Sequence, residues 1–282
     1  MRVFTFTLLL AALSGMGQSA SAAGTEEVQL INAINTYRTE GHRCDDKAAE
    51  ELMPLALDAR LILPARGAGD LQESLSRAGY PMVNVQAISL SGPRDAQAAM
   101  QALRESFCRV VLAPQHADIG VSREDRDWRI VLARPLLGGH LKDSQTEGQM
   151  LLDELNRARE QARQCGGQDY AAAPPLSWNT TLAAVAETQS RAMANGNFFS
   201  PLDKDGRTPS DRAELAGYAG TQVGQNIAAA LDRSSTVVEG WLASPGHCAN
   251  VMNPLFTELG AAYAVDPQSD AGIYWVGMFG GQ

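Results

Sequence analysis

Apolar residues along the chain fall into a repeating rhythm. Between Glu26 and Tyr37 they stand at Leu30, Ile31, Ile34 and Tyr37, the three-and-four spacing of one helix face. A polar turn through Gly41 follows, with Cys44 just beyond it. Pro54 to Leu61 reads as a second helix-like segment, and Gly79-Tyr80-Pro81 breaks the chain. Ala98 to Phe107 predicts another helix, ending at Cys108. Asp118 to Val121 and Trp128 to Leu132 predict two strands, joined by a charged turn from Arg123 to Asp127. Residues 136–148 read as a linker.

Past the linker the same order returns. Leu151, Leu152 and Leu155 mark a helix. Asn156 answers Asn35, Cys165 answers Cys44, Leu176 answers Leu55 and Leu182 answers Leu61, all at one offset of 121 residues. Cys248, Pro254, Glu258 and Gly260 answer Cys108, Pro114, Asp118 and Gly120 at an offset of 140. Two ungapped blocks of this kind predict a tandem duplication, residues 24–135 and 149–282, with the second copy longer by some twenty residues in its middle. In that copy Val237, Val238, Trp241 and Leu242 form a short apolar helix face. It runs into Ser244-Pro245-Gly246-His247-Cys248, then a buried-looking turn at Asn253-Pro254, and Glu258 to Gly260 opens a strand.

Composition and charge change this picture in four places. A length of 282 residues with 45% hydrophobic content suits one large or two modest domains. A net charge of −9 argues against nonspecific binding to nucleic acid or anionic membrane, which needs clustered Lys and Arg. The N-terminus carries Arg2, an apolar run from Val3 to Leu13, and Ala20-Ser21-Ala22, the pattern of a cleaved signal peptide over residues 1–22. The run is about half of the ~20 residues a spanning helix needs, so no stable membrane span is expected. The expected location is periplasmic or secreted. The four cysteines, an even number in an exported chain, read as disulfides. Spacing alone leaves three pairings open. A duplicated fold keeps its crosslink within each copy, which predicts Cys44–Cys108 and Cys165–Cys248.

The second copy resembles the CAP superfamily (cysteine-rich secretory proteins, antigen 5, pathogenesis-related 1) in its bacterial secreted form. The residues that carry the resemblance include Leu155 to Arg159, Pro175-Leu176-Ser177-Trp178-Asn179 and Asn197-Phe198-Phe199-Ser200. They continue through Asp205 to Pro209 with Arg212, then Ala216-Gly217-Tyr218 and Gly224-Gln225-Asn226-Ile227-Ala228. Trp241 to His247, Glu258-Leu259-Gly260 and Tyr274-Trp275 complete the set. The first copy looks like a degenerate CAP domain that keeps Asn35, Arg38, Pro54-Leu55, Gly79-Tyr80 and Ile119-Gly120. The resemblance implies an α+β fold of the α-β-α sandwich type in two tandem copies.

Domains of this family often carry two His and two Glu in a cleft, which in some members bind a divalent metal. Carried over position by position, the first His is Pro201, the Glu of the usual Gly-Glu-Asn-Ile is Gln225, and the second Glu falls near Ser244. His247 alone survives. One imidazole does not hold zinc, which takes three or four protein ligands, and a Gln amide is no general base. The expectation is therefore no cofactor and no divalent metal. In the first copy the place of His247 is Phe107 and that of Gln225 is near Val83.

A lone His beside a disulfide reads first as a hydrogen-bonded structural residue and second as a ligand contact. Ser244 and Ser200 suggest a Ser–His pair, but no acid is placed to orient the His and there is no G-x-S-x-G. Gln225-Asn226 reads as a polar turn that also lines the residual cleft. His42, His116 and His140 read as exposed, and Glu187, Gln189 and Arg191 as the solvated face of a helix whose core stripe is Leu182, Val185, Ala186 and Met193. The resulting expectation is an exported noncatalytic binding module. Family members bind sterols, fatty acids or proteins, which implies a lipid-like or sterol-like small molecule or an envelope protein as partner. The competing expectation is a hydrolase of peptides or cell-wall material using His247.

Overall fold

The computed structural model describes residues 24–44, 47, 48, 50–67, 69–80, 82–136 and 141–282. The signal-peptide reading, His140 and residues 137–140 of the linker reading lie outside them.

The first half runs α1 (Thr25–Thr39), the hairpin β1 (Arg43–Cys44) and β2 (Lys47–Ala48), β3 (Ala56–Leu57), α2 (Leu71–Arg77), β4 (Met82–Ser91), α3 (Ala96–Ser106), α4 (Cys108–Val111), β5 (Asp118–Glu124) and β6 (Asp127–Pro135). Its sheet has the order β3-β5-β6-β4, antiparallel except where β3 pairs with β5. The second half runs α5 (Ser144–Arg159), the hairpin β7 (Arg163–Cys165) and β8 (Gln168–Tyr170), β9 (Ser177–Trp178), α6 (Thr180–Gly196), α7 (Pro209–Leu215), β10 (Gln222–Ala229), α8 (Ser234–Ala243), α9 (Pro245–Met252), β11 (Glu258–Val265) and β12 (Ile273–Gly281). Its sheet reads β9-β11-β12-β10, the same path with the same lone parallel pair.

In the second half, α5, α8 and α9 bury Leu151, Leu155, Val237, Trp241 and Val251 on one sheet face. The other face is covered by α6 and α7 through Leu182, Val185, Ala186, Met193 and Ala213. Strand β12 is buried along its whole length, as a sheet covered on both faces requires. This half is an α-β-α sandwich. The helices start where their sequence specifies. Asn179 accepts from the Leu182 N–H to cap α6, and Thr208 and Asp211 form a capping box ahead of Pro209 in α7.

Side-chain staples recur at the offsets read from the sequence. The Asn35 amide bonds the N–H and C=O of Leu55, and Asn156 does the same to Leu176. Arg38 donates to the carbonyls of Met53, Val111 and Ala113, and Arg159 to those of Pro174, Val251 and Asn253. Tyr80 donates to Asp118 at 2.6 Å, and Tyr218 to Glu258 at 2.6 Å. Cys44 is bonded to Cys108 and Cys165 to Cys248, within each half. Gly120 and Gly260 repeat one close approach. A Cβ on Gly120 would meet the Leu61 backbone at 2.3 Å, and one on Gly260 the Leu182 backbone at 2.2 Å.

Several sequence expectations need correction. Pro54 to Leu61 is not helical. The Ala56 and Asp58 N–H groups donate to the carbonyls of Ala117 and Ile119, so pairing with β5 takes the segment, and only Ala59–Leu61 make a single 3-10 turn. Strand β4 was not foreseen; its only clear alternation is at its end, where Ile88 and Leu90 are buried and Ser89 and Ser91 exposed. The end of the linker reading is helical, since Asp143 caps α5 and Ser144 to Gly148 begin it. Pro254 is exposed, and His116 is buried instead of exposed. Gln189 is also buried, donating to the carbonyls of Ser200 and Leu202.

The halves share apolar contacts. Met53 of the first half belongs to the core under α8, where a Cβ on Gly240 would meet its Cε. Phe199 of the second half packs against the first-half core, and Arg134 donates to the Ser269 carbonyl at 3.1 Å.

Candidate functional site

The site lies where β10 faces the start of α9. Pro245 occupies the first turn of α9, where a missing N–H costs nothing, and His247 follows one residue past Gly246. His247 is about nine-tenths buried. Its carbonyl accepts from the Asn226 side chain at 3.1 Å, and Asn226 in turn accepts from Asn250 at 2.9 Å. These two amides tie β10 to α9 and fix the height of the imidazole above the sheet.

Gln225 and Asn226 are therefore strand residues, not a turn. They pair with Met278 and Gly277 of β12. Asn226 faces α9, as its bonds show. The Gln225 side-chain oxygen accepts from the Arg212 guanidinium, and its amide donates to the Pro201 carbonyl at 3.4 Å. Strand pairing also corrects the first-half counterpart of Gln225. Met278 corresponds to Val131 in β6, and Val131 pairs with Ala87, not Val83.

Ser200 stays apart from this group. Its hydroxyl accepts from the Leu202 N–H at 3.0 Å. Ser244 is fully buried, and its hydroxyl donates to Glu51 of the first half at 2.6 Å. The same Glu51 oxygen accepts from the Gly246 N–H at 3.2 Å, at the positive end of α9. Ser244 thus spends its proton on Glu51, and no Ser–His hydrogen bond forms.

Glu50 and Glu51, which the sequence reading left out, line a cleft of about 360 Å³ together with Gln225, Gly246, His247 and Asn250. One signal for them was available. At the offset of 121 their counterparts are Ala171 and Ala172, so the acidic pair stands where the two halves differ. Burial holds the His247 imidazole down to about 4, against a weaker upward pull from the Glu51 charge. At neutral pH it is uncharged, and its Nδ1 is buried with no hydrogen-bond partner. Burial first, and the neighbouring Glu51 second, raise the Glu50 carboxyl above its ordinary value. Among the described residues no group of three or more His, Cys, Asp or Glu is arranged to hold a metal ion.

A disulfide-stapled α-β-α sandwich with a polar cleft between a sheet edge and a histidine-bearing helix defines the class of domain in the second half. Residues 152–279 match the family model of CAP, the Cysteine-rich secretory protein family, so the second half of the chain carries a CAP domain. It is 31% identical over 108 residues to the "Uncharacterized protein YkwD" of Bacillus subtilis (strain 168), covering 38% of this chain and 40% of that protein. Over 85 residues it is 36% identical to the "Uncharacterized membrane protein YlbC" of the same organism, covering 30% of this chain and 25% of that one. The chain thus spans well under half the length of these curated relatives. An extracellular protein containing a SCP domain from Bacillus anthracis str. Ames superposes with a TM-score of 0.42 at 18% identity, over 85% of this chain and 74% of that one.

Proposed function

We propose that the chain is an exported, noncatalytic binding protein built from two copies of one CAP unit, with no metal in its cleft. The observation that carries this reading is the composition of that cleft. His247 is neutral and buried, Gln225 is bound to Arg212, Ser244 is bound to Glu51, and Pro201 stands where a ligand side chain would be needed. None of these groups is an activated nucleophile, and the one imidazole, held down to about 4 by burial, is a weak base. The recurring Asn, Arg and Tyr staples support descent of both halves from one unit. Two disulfides support an oxidising compartment, periplasmic or extracellular. Among the described residues no helix is long and apolar enough to cross a membrane.

The proposed ligand is a small apolar molecule with a polar end. A groove of about 560 Å³ between α1 and α3 supports this, with Ala33, Ala96 and Met100 in its wall and Gln97, Gln101 and Arg104 beside them. An envelope protein is the other partner to screen. A fluorescent fatty-acid analogue tests the first. Saturable binding, lost in Ala33→Phe, is expected; no saturable binding, or binding indifferent to the substitution, sinks the reading.

One observation favours the hydrolase alternative, because Glu51 brings a carboxylate close to His247. That reading requires His247→Ala to abolish turnover of a peptide or cell-wall substrate without lowering stability.

A further inference from the structure

Residues 51–53 belong to the first half and touch the second. Arg38 holds their backbone. Its carbonyl accepts from the Leu52 N–H at 3.0 Å, and its guanidinium donates to the Met53 carbonyl at 3.1 Å. Arg159 holds the matching segment of the second half in the same way, through the Ala173 N–H at 2.9 Å and the Pro174 carbonyl at 2.7 Å. The anchoring is shared, so the local fold does not require the side chains that differ. Where the second half has Ala172 and Pro174, the first half has Glu51 and Met53.

Both of those side chains reach the other half. Leu52 is buried in the first-half core, while Met53 is buried in the core under α8. Glu51 accepts from the Ser244 hydroxyl at 2.6 Å and from the Gly246 N–H at 3.2 Å. Alternate residues of the segment thus face opposite halves. The receiving surface is shaped to match. A Cβ on Gly240 would strike the Met53 methyl, and one on Gly246 would stand 2.5 Å from the second carboxylate oxygen of Glu51. Two residues ahead of its disulfide cysteine the second half has Gly246, where the first half has Ser106. Glycine therefore stands where the segment lands. Ser244 is fully buried there, His247 is about nine-tenths buried, and Glu51 forms part of the wall of the cleft that His247 lines.

We propose that Glu51-Leu52-Met53 is a strap by which the first half closes the cleft of the second and limits access to His247. Met53 anchors the strap in the apolar core. Glu51 latches it to the start of α9, where backbone N–H groups and the helix dipole favour a carboxylate. The latch is the part that can open, because two hydrogen bonds to a single oxygen hold it at the seam. The anchor and the Arg38 bonds keep the rest of the segment in place when it does. This strap is separate from the groove between α1 and α3 and does not depend on what that groove takes.

The test is histidine modification by diethyl pyrocarbonate on the whole chain at neutral pH, read peptide by peptide by mass spectrometry. His247 should react slowly in the parent. In Glu51→Ala it should react about tenfold faster or more, the gain in local opening that loss of charged hydrogen bonds gives. Gly246→Ala breaks the same contact from the other side. Alanine is the better helix former, so α9 itself is not weakened, but the added Cβ displaces the Glu51 carboxylate. It should speed His247 as Glu51→Ala does, and add nothing when the two are combined. His116, buried in the first half, should stay protected throughout and reports any general loosening. The proposal is overturned if either substitution leaves His247 as slow as in the parent, if His116 rises with His247, or if the two effects add.

Discussion

The two halves build the same sheet and cover its second face differently. In the second half the 17-residue α6, with α7, lays Val185, Ala186, Met193 and Ala213 over the sheet. In the first half that face carries one 3-10 turn and the seven-residue α2, with Leu61, Leu63, Leu75 and Tyr80 over Val131 and Ala133. The other face is nearly unchanged between them, down to the carbonyls that Arg38 and Arg159 reach. The first half lacks the layer that would frame a cleft but carries the same staples that hold the backbone. Its own contribution to the cleft is made outside itself, through Glu50 and Glu51. If that division is right, changes to the staples should cost both halves alike, and changes to the cleft should register only in the second.

The largest expected effect is loss of a disulfide. The bridges close separations of 64 and 83 residues, which the chain-entropy model values at about 4 kcal/mol each. Replacing Cys44 and Cys108 by Ala, or Cys165 and Cys248 by Ala, should lower the unfolding free energy by similar amounts in denaturant titrations. A first-half pair that proves silent would break the equivalence of the two halves.

Each half also buries one histidine. His116 and His247 are both held down to about 4, mainly by burial, with Arg38 adding to the effect at His116. An unfolded histidine binds a proton near pH 6.5, so between about 6.5 and 4 the unfolded state holds the extra proton. Stability is whole above about 6.5 and is lost as pH falls toward 4, on the order of 3 kcal/mol per residue. Urea midpoints from pH 7 to 4.5 should fall in the parent chain. His116→Gln and His247→Gln should each remove about half of the slope, and a flat parent profile would contradict both burial arguments.

Much of the order of helices and strands was legible because each half repeats Asn, Arg, Cys, Pro and Gly at fixed offsets, and the Asn, Arg and Cys among them make long-range bonds. Gly120 and Gly260 mark where a helix or turn touches the strand, so their identity is set by contact. Strand β4 was missed because most of its length is exposed and only Ile88 and Leu90 show alternation. The 3-10 turn after β3 was misread because Leu55, Leu57 and Leu61 mimic a helix face, while the backbone pairs with β5. In the site, His247, Gln225 and Ser244 were legible from the resemblance. Glu51 was not, since its distance of nearly two hundred residues from Ser244 leaves no local pattern to read.

A smaller effect tests whether the halves depend on each other. Met53 sits in the second-half core while belonging to the first-half chain. Met53→Ala should cost about 2 kcal/mol, the low end for a buried methionine because the site lies at the seam. The loss should appear as earlier unfolding of the second half, followed by hydrogen exchange in α8. Normal protection of α8 would mean that the contact is incidental and the halves are energetically separate.

The smallest and sharpest comparison is the tyrosine pair. Tyr80 and Tyr218 each donate to a carboxylate at the head of equivalent strands, at the same 2.6 Å. Removing the hydroxyl leaves the ring and its packing in place, so the difference isolates one hydrogen bond to an acidic acceptor, worth about 1 to 2 kcal/mol. The environments are not the same, however. Tyr80 is 2% exposed and stacks under the Arg60 guanidinium, whereas Tyr218 is 9% exposed. The carboxylate left behind is therefore harder to hydrate in the first half, and Asp118 is already raised by burial. Tyr80→Phe should cost more than Tyr218→Phe in denaturant titrations. The reverse order would mean that the thin layer of the first half admits water to Asp118, and that the absence of α6 is felt there after all.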